Sequence, residues 1–479
     1  MNHRIVWRTV GIVLLAAAAL LLLPLITALY YHESPVPFLI AMAAAVVPGL
    51  PLALLKPKRN LYTAREGFVI VGAGWIILSL IAALPFTLSG DIPSYLDAVF
   101  ETVSGLTTTG STILNDVEAL SRGVQFWRLF CHWIGGMGIL VFIMAVLPLA
   151  GNRSMHIMRA EVPGPTVGKL VPRARQTARI LYLLYLILTL VETALLKIGG
   201  MSFFDALLHS FATAGTGGFS TKALSVGYFN SAYIDAVIGT FMLLFGINFS
   251  LYYLLLIGSW KQAFKNEELR WYAGIVVFAT VTIALSIMKQ YGGFGHALRY
   301  SYFQVASILT TTGFSTADFT QWPAYAQSML VLLMFIGGCA GSTAGGLKVS
   351  RVMLLCKDTL TELRRMLRPR SVEHIRMDGK AVETGTLRAV QGYFFVYLLL
   401  LLVGTLIVSL DGMDFTTNFT ASLACISNVG PGLALVGPMG SFSVFSPLSK
   451  IVLIFEMLLG RLEIYPILLL FFPATWKAK

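Results

Sequence analysis

Apolar residues in this chain gather into ten long runs, near residues 9–31, 37–55, 67–88, 124–149, 178–198, 231–259, 271–288, 325–356, 389–410 and 445–473. Each is long enough to cross about 30 Å of hydrocarbon as a helix, so the pattern predicts ten membrane spans. Between the third and fourth, fifth and sixth, seventh and eighth, and ninth and tenth lies a shorter stretch of apolar and small residues. These four stretches are too short to cross and are predicted to enter and leave the membrane by one face. The run 9–31, preceded by Arg4 and Arg8, exceeds the apolar core of a signal peptide and reads as a retained span.

Of the 479 residues, 56% are hydrophobic and 12% charged, and the mean hydropathy is +0.77. No water-soluble fold hides that much apolar surface. The net charge of +12 would suggest nucleic acid in a soluble protein. Here the basic residues sit in short connections rather than in a stripe with interleaved aromatics, which argues against nucleic-acid binding. Arg4 and Arg8 precede the first span; Lys56, Lys58, Arg59 and Arg65 follow the second. Arg153, Arg159, Lys169, Arg173 and Arg175 follow the fourth, Lys261, Lys265 and Arg270 the sixth, a basic segment 357–388 the eighth, and Lys477 and Lys479 end the chain. The bias of positive charge assigns these segments and both termini to the cytoplasm. All four short stretches then fall on the external side. Cys131, Cys339, Cys356 and Cys425 stand singly, without pairing spacing or nearby His, and support neither a disulfide framework nor a zinc site.

The short stretches are variations on one unit: SYLDAVFETVSGLTTTGST (94–112), SFFDALLHSFATAGTGGFST (202–221), ALRYSYFQVASILTTTGFST (297–316) and TTNFTASLACISNVGPGL (416–433). Their shared glycines, Gly110, Gly218, Gly313 and Gly430, recur at intervals of 108, 95 and 117 residues. Asp97 and Asp205 stand thirteen positions before a shared glycine, Phe100 and Phe303 ten, and Ser104 and Ser307 six, which marks an internal repeat. Each unit opens with helix-compatible residues and closes in Thr, Gly, Ser and Asn, which favour irregular backbone. Irregular backbone at membrane depth leaves carbonyls unsatisfied unless it lines a water or ion pathway. Rings of carbonyls can replace the hydration shell of a weakly hydrated cation, and helix C-terminal dipoles favour a cation there. One shared glycine per loop predicts fewer ordered ion sites than a five-residue carbonyl filter.

At these residues the chain resembles the TrkH type of the Trk/Ktr/HKT superfamily of potassium transporters, over nearly its whole length. The resemblance rests on the four loops and on WIGGMGILVF (133–142), AEVPGP (160–165), GGCAGSTAGGLKVSR (337–351) and LGRLEIYP (459–466). It implies an all-α membrane protein with two N-terminal helices (1–62) and four pseudo-symmetric repeats around one pore (63–170, 171–265, 266–380 and 381–479). It implies that carbonyls of Thr108, Thr109 and Gly110, of Thr216, Gly217 and Gly218, of Thr311, Thr312 and Gly313, and of Asn428, Val429 and Gly430 contact potassium. A homodimer in a bacterial cytoplasmic membrane and a cytosolic nucleotide-binding regulatory ring similar to TrkA are implied as well. The second loop carries an added glycine pair, Gly215 and Gly217, and the fourth lacks TTTG, so the register of both stays open by one residue.

The run 325–356 would be about 48 Å long as one helix at 1.5 Å per residue, so it must be tilted or broken. The break is expected at 337–346, where Gly337, Gly338, Gly341, Ser342, Thr343, Gly345 and Gly346 disfavour helix. A flexible loop beneath the filter can occlude the pore as a gate; close helix packing through small residues is the alternative. Arg461 lies inside the last run, where a charge is expensive. Facing the pore, it would repel a cation below the filter; otherwise it forms a structural ion pair with Glu456 or Glu463. The resemblance also implies the pore-facing role. Asp97 and Asp205 read as helix caps, and His132, Asn248 and Glu192 as interhelical hydrogen-bond partners. No nucleophile and base stand out as an enzyme's would. A sodium- or proton-coupled symporter and the potassium-translocating subunit of an ATPase remain as alternatives. The segment 357–388 suits an acidic or nucleotide-binding partner, or membrane lipid.

Overall fold

The computed structural model describes residues 1–56, 64–138, 174–368 and 373–476. The motif 160–165, the end of the fourth apolar run and the basic residues between Arg153 and Arg173 lie outside them. Within the described residues the chain is a helical, multi-pass membrane protein, since lipid demands that each spanning segment satisfy its own backbone hydrogen bonds. Two N-terminal segments, His3–Leu20 continued by Leu22–Tyr30, and Val36–Ala53, pack on each other beside the rest.

Four units of outer helix, pore helix and inner helix follow. The outer helices are Ala64–Ala82, Ala174–Ile198, Glu267–Ile287 and Thr384–Val408. The pore helices are Tyr95–Leu106, Phe203–Gly215, Phe294–Leu309 and Phe415–Ile426, and the inner helices Arg122–Met137, Ala232–Phe245, Ala324–Ile336 and Pro447–Arg461. Each inner helix packs against the pore helix of the next unit, and the fourth returns to the pore helix of the first, which closes the units into a ring. Phe100 and Phe303, the aromatic positions shared by two loops, are fully buried in this packing.

The structure departs from ten straight spans in a regular way. Among the described residues, six helices are long and apolar enough to cross alone, and one bent pair makes a seventh. The inner helices have only 16, 14, 13 and 15 residues, about 20–24 Å at 1.5 Å per residue. The first ends where Gly138 takes φ 80°. The second, expected to run straight through 231–259, bends by 91° between Phe245 and Phe249. The third ends at Gly337, φ 74°, where the glycine-rich break was expected. The fourth, expected to continue through 473, stops at Arg461 and resumes as Tyr465–Phe471 after Glu463 and Ile464 turn through positive φ. At the first and third breaks glycine accepts the positive φ that ends the helix.

The two chain ends meet on one face. The Asn2 N–H donates to Glu66 (2.8 Å), and the neighbouring Arg65 donates to the carbonyls of Ala474 (2.7 Å) and Thr475. At the ring, the first inner helix touches the first pore helix backbone to backbone at Gly135, where an added Cβ would lie under 3.0 Å from the Leu106 carbonyl. Gly135→Ala should therefore lower stability by about 1–3 kcal/mol, the range for overpacking. Gly274→Ala, in the third outer helix with nothing within 4 Å, should leave it unchanged or slightly raised. Thermal loss of monodispersity in detergent, followed by size-exclusion chromatography, measures both.

Candidate functional site

Three of the four pore helices begin on a side-chain cap. Ser94 accepts from the Asp97 N–H (3.4 Å), Ser202 from the Asp205 N–H (3.0 Å), and Asp414 from the Thr417 N–H (3.0 Å). The serines, not Asp97 and Asp205, are thus the caps. The aspartates sit in the first turn, where helix dipoles favour negative charge. Asp97 pairs with Lys450 (2.6 Å), and Asp205 accepts from Ser202 (2.8 Å) and Thr221 (2.6 Å).

All four pore helices end alike. The N–H groups of Thr109, Gly217, Thr312 and Val429 donate to the carbonyls of Ser104, Ala212, Ser307 and Ala424, five residues back, at 2.9, 2.8, 2.8 and 2.8 Å. The residue before each donor turns left-handed: Thr108 at φ 56°, Thr216 at 56°, Thr311 at 55° and Asn428 at 55°. A β-branched residue is a genuine outlier in that region and persists only where its surroundings over-determine it. Next to each donor comes the shared glycine, at φ 86°, 77°, 83° and 101° for Gly110, Gly218, Gly313 and Gly430. One dihedral sequence repeated four times gives loops two and four the same register as the two TTTG loops.

The four glycines converge. A Cβ added to Gly110 would lie under 3.0 Å from the carbonyl oxygen of Gly217; on Gly218 it would meet Thr312, on Gly313 Val429, and on Gly430 Thr109. Each glycine therefore abuts the carbonyl before the glycine of the next loop, and the fourth closes on the first. Of the twelve carbonyls of 108–110, 216–218, 311–313 and 428–430, only that of Gly430 accepts a hydrogen bond from the described residues, from Ser111 Oγ at 3.0 Å. A buried carbonyl without a donor costs about 1–3 kcal/mol. The C-terminal ends of four pore helices meet at the same place, so the ring carries negative potential without a carboxylate.

Side chains behind the loops hold this backbone. Thr107 and Thr109 are linked at 2.8 Å and Thr310 and Thr312 at 2.7 Å, through their hydroxyls. The Asn428 amide donates to Thr109 Oγ1 (3.0 Å) and to the Met457 carbonyl (2.9 Å), tying loop four to loop one and to the last inner helix. Sequence reasoning missed the strongest of these supports. Glu101 and Arg128, 0% and 2% exposed, pair at 2.6 Å. Glu101 also accepts from Thr112 Oγ1 (2.9 Å) and the Ile113 N–H (3.0 Å), while Arg128 donates to the Ser220 carbonyl (3.2 Å) over the ring of Phe219. His132 accepts from the Phe219 N–H (3.2 Å) at Nε2, so its Nδ1 carries the proton and donates to the Gly105 carbonyl (2.7 Å). An acid in the first short stretch and a base in the apolar run that follows it, both in one repeat, were the legible signal.

Below the ring lies the glycine-rich segment between Ile336 and Val349. The Gly345 N–H donates to Thr311 Oγ1 (2.6 Å), and a Cβ on Gly345 would collide with the Ser427 carbonyl, so the segment presses on loops three and four. Gly337 and Gly346 lie back to back, and the Cys339 N–H donates to the Gly246 carbonyl (2.9 Å). Gly341 returns its carbonyl to the Phe249 N–H (3.0 Å), so the bend of the second inner helix is a docking point for the segment. Gly338 packs on Ala344, Ser342 donates to the Cys339 carbonyl (2.6 Å), and Thr343 donates to the Phe245 carbonyl (3.2 Å). Arg461, 7% exposed, donates to the Thr343 carbonyl (2.7 Å) and to the carbonyls of Gly135 and Gly136, the latter at 2.6 Å. Its two expected ion-pair partners are engaged elsewhere: Glu463 pairs with Arg351, and Glu456 accepts from Ser422 (2.5 Å).

This geometry can now be set beside known proteins. A family model described as a cation transport protein, TrkH, matches residues 35–477. The Trk system potassium uptake protein TrkH of Escherichia coli (strain K12) is 38% identical over 489 residues, covering 100% of both chains. The Trk system potassium uptake protein TrkI of Halomonas elongata is 34% identical over 417 residues, 86% of this chain and 84% of that one. The crystal structure of the potassium transporter TrkH from Vibrio parahaemolyticus superposes with a TM-score of 0.89 at 35% identity, covering 100% of both chains. By the extent of the family match and by full-length relatives of this identity, the chain belongs to the TrkH family of cation transport proteins.

Proposed function

We propose that this chain takes up potassium across the bacterial cytoplasmic membrane through the ring of loops, with both termini in the cytoplasm. The observation that supports the reading is the set of buried carbonyls at 108–110, 216–218, 311–313 and 428–430, of which one alone accepts a hydrogen bond from the described residues. A partly dehydrated cation supplies the missing partner for these oxygens, and they replace its water. Potassium suits the exchange because it gives up its hydration more readily than sodium, and the relatives are named as potassium uptake proteins. In this reading the segment 337–346 is the gate, since it bonds Thr311 and presses on Ser427 directly below the ring. Arg461 adds a positive charge beneath the filter while its bond to Thr343 holds the gate in place. The Trk system of the relatives' names fits a homodimer working with a cytosolic, TrkA-like nucleotide-binding subunit.

Two experiments on reconstituted protein test this. Gly313→Ser places a side chain against the Val429 carbonyl and should lower the preference for rubidium over sodium about tenfold, a loss of about 1.4 kcal/mol; wild-type selectivity in a folded variant rejects the filter. Removing residues 337–346 should raise basal rubidium flux several-fold, and Arg461→Ala should raise it and change its dependence on concentration. Wild-type flux from both variants, each eluting as the native oligomer, rejects the gate.

A further inference from the structure

The glycine-rich segment has a further anchor in the third outer helix. Glu268, the second residue of the third outer helix, is 3% exposed. Its Oε1 accepts from the N–H groups of Ala340 (2.7 Å) and Ser350 (3.1 Å). One carboxylate oxygen thereby ties the segment to the first turn of the helix that follows it, Val349–Leu367. Hydrogen bonds to an ionised acceptor are about twice as strong as neutral ones, and the helix N-terminus adds to the attraction.

Glu268 does not stand freely. A hairpin, Arg376–Met377 paired with Lys380–Ala381, turns at Asp378 and Gly379, both at positive φ. Asp378 Oδ1 accepts from the Glu267 N–H (2.7 Å) and Oδ2 from the Asn266 side-chain amide (2.9 Å). The hairpin thus grips the outer helix one residue before Glu268. Glu267 returns the contact, accepting from the Asp378 N–H (3.1 Å) and from Lys357 (2.7 Å). Glu268, Ala340 and Asp378 line one open cavity of about 1260 Å³, so the hairpin, the carboxylate and the segment border a single space.

We propose that Glu268 is the positioning residue of the segment 337–346, and that the Asp378 hairpin sets where Glu268 stands. Moving the hairpin withdraws the acceptor from Ala340 and Ser350 and lets the segment leave the ring. The inference rests on reading that segment as the gate. It adds a specific mechanical route by which a cytosolic event reaches the gate without touching the filter.

Cys339 is a native reporter, since it lies in the segment and is 1% exposed, whereas Cys356 is exposed. In full-length protein carrying Cys356→Ser, the rate at which a small methanethiosulfonate reagent labels Cys339 is read by mass spectrometry, alongside rubidium flux into proteoliposomes. Glu268→Ala should speed labelling by at least about tenfold, the factor that the loss of even one charge-assisted bond gives. Glu268→Gln keeps an acceptor oxygen without the charge, so it should fall between, and carries the test if the alanine variant does not fold. Asp378→Ala should speed labelling less than Glu268→Ala, and the double variant no more than Glu268→Ala alone, because the two act in series. Parental labelling in both Glu268 variants, or a double variant equal to the two single effects combined, overturns the proposal. Faster labelling with unchanged flux keeps Glu268 as the anchor and rejects the gate instead.

Discussion

A carbonyl oxygen buried without a donor is the constraint on which this molecule is organised. Apolar surroundings offer it nothing, and a helix that continued through 108–110 or its three counterparts would have removed the problem by bonding each oxygen to an N–H four residues on. The chain instead forces a left-handed residue at Thr108, Thr216, Thr311 and Asn428 and stops each pore helix there. That conformation is unfavourable for threonine, so other interactions must hold it. The helix-ending bond five residues back, the glycine-to-carbonyl packing around the ring and the Glu101–Arg128 pair all serve that end. A buried ion pair is weak evidence for net stability, but here it fixes Thr112 and Ser220 on two neighbouring loops, which is a matter of position.

The same logic extends below the ring. Inner helices of about four turns cannot cross alone, and their ends leave carbonyls that need donors. Arg461 supplies donors to two such places at once, the end of the first inner helix at Gly135 and Gly136 and the segment carbonyl of Thr343. A charge that would be costly against lipid is therefore spent on backbone groups that would otherwise be costly themselves. The bend of the second inner helix has the same character, since Gly246 and Phe249 exchange bonds with Cys339 and Gly341. Broken helices and an irregular segment satisfy one another where continuous helices would have had no need to.

Much of this was legible in the chain because glycine, threonine and hydrophobic length each report one physical requirement. The recurrence of Gly110, Gly218, Gly313 and Gly430 located the ring, and the glycines of 337–346 located the break in the third inner helix. The bend at 245–249 was hidden, because the run 231–259 stays apolar across it and Gly246 alone is a weak signal. The stop at Arg461 was hidden for a different reason: its positive φ falls on Glu463 and Ile464, residues that do not advertise it. Glu101 and Arg128 escaped, and His132 was read only as a hydrogen-bond partner, because a lone polar residue among apolar neighbours has many explanations. Only their juxtaposition in three dimensions selects one.

The four quarters of the ring belong to one chain, and they are not copies. Gly345 meets a hydroxyl on Thr311, while the corresponding positions are Thr108, Thr216 and Asn428, each with different neighbours. A pore assembled from four identical subunits must carry four of every obstruction, arranged so that none excludes another at the axis. Fusing the quarters end to end removes that crowding, so a single segment can stand against one wall, at Thr311, and a single arginine can bond it at Thr343. Inheritance changes with it: one codon alters one wall of the conduit, and the opposite wall is left as it was.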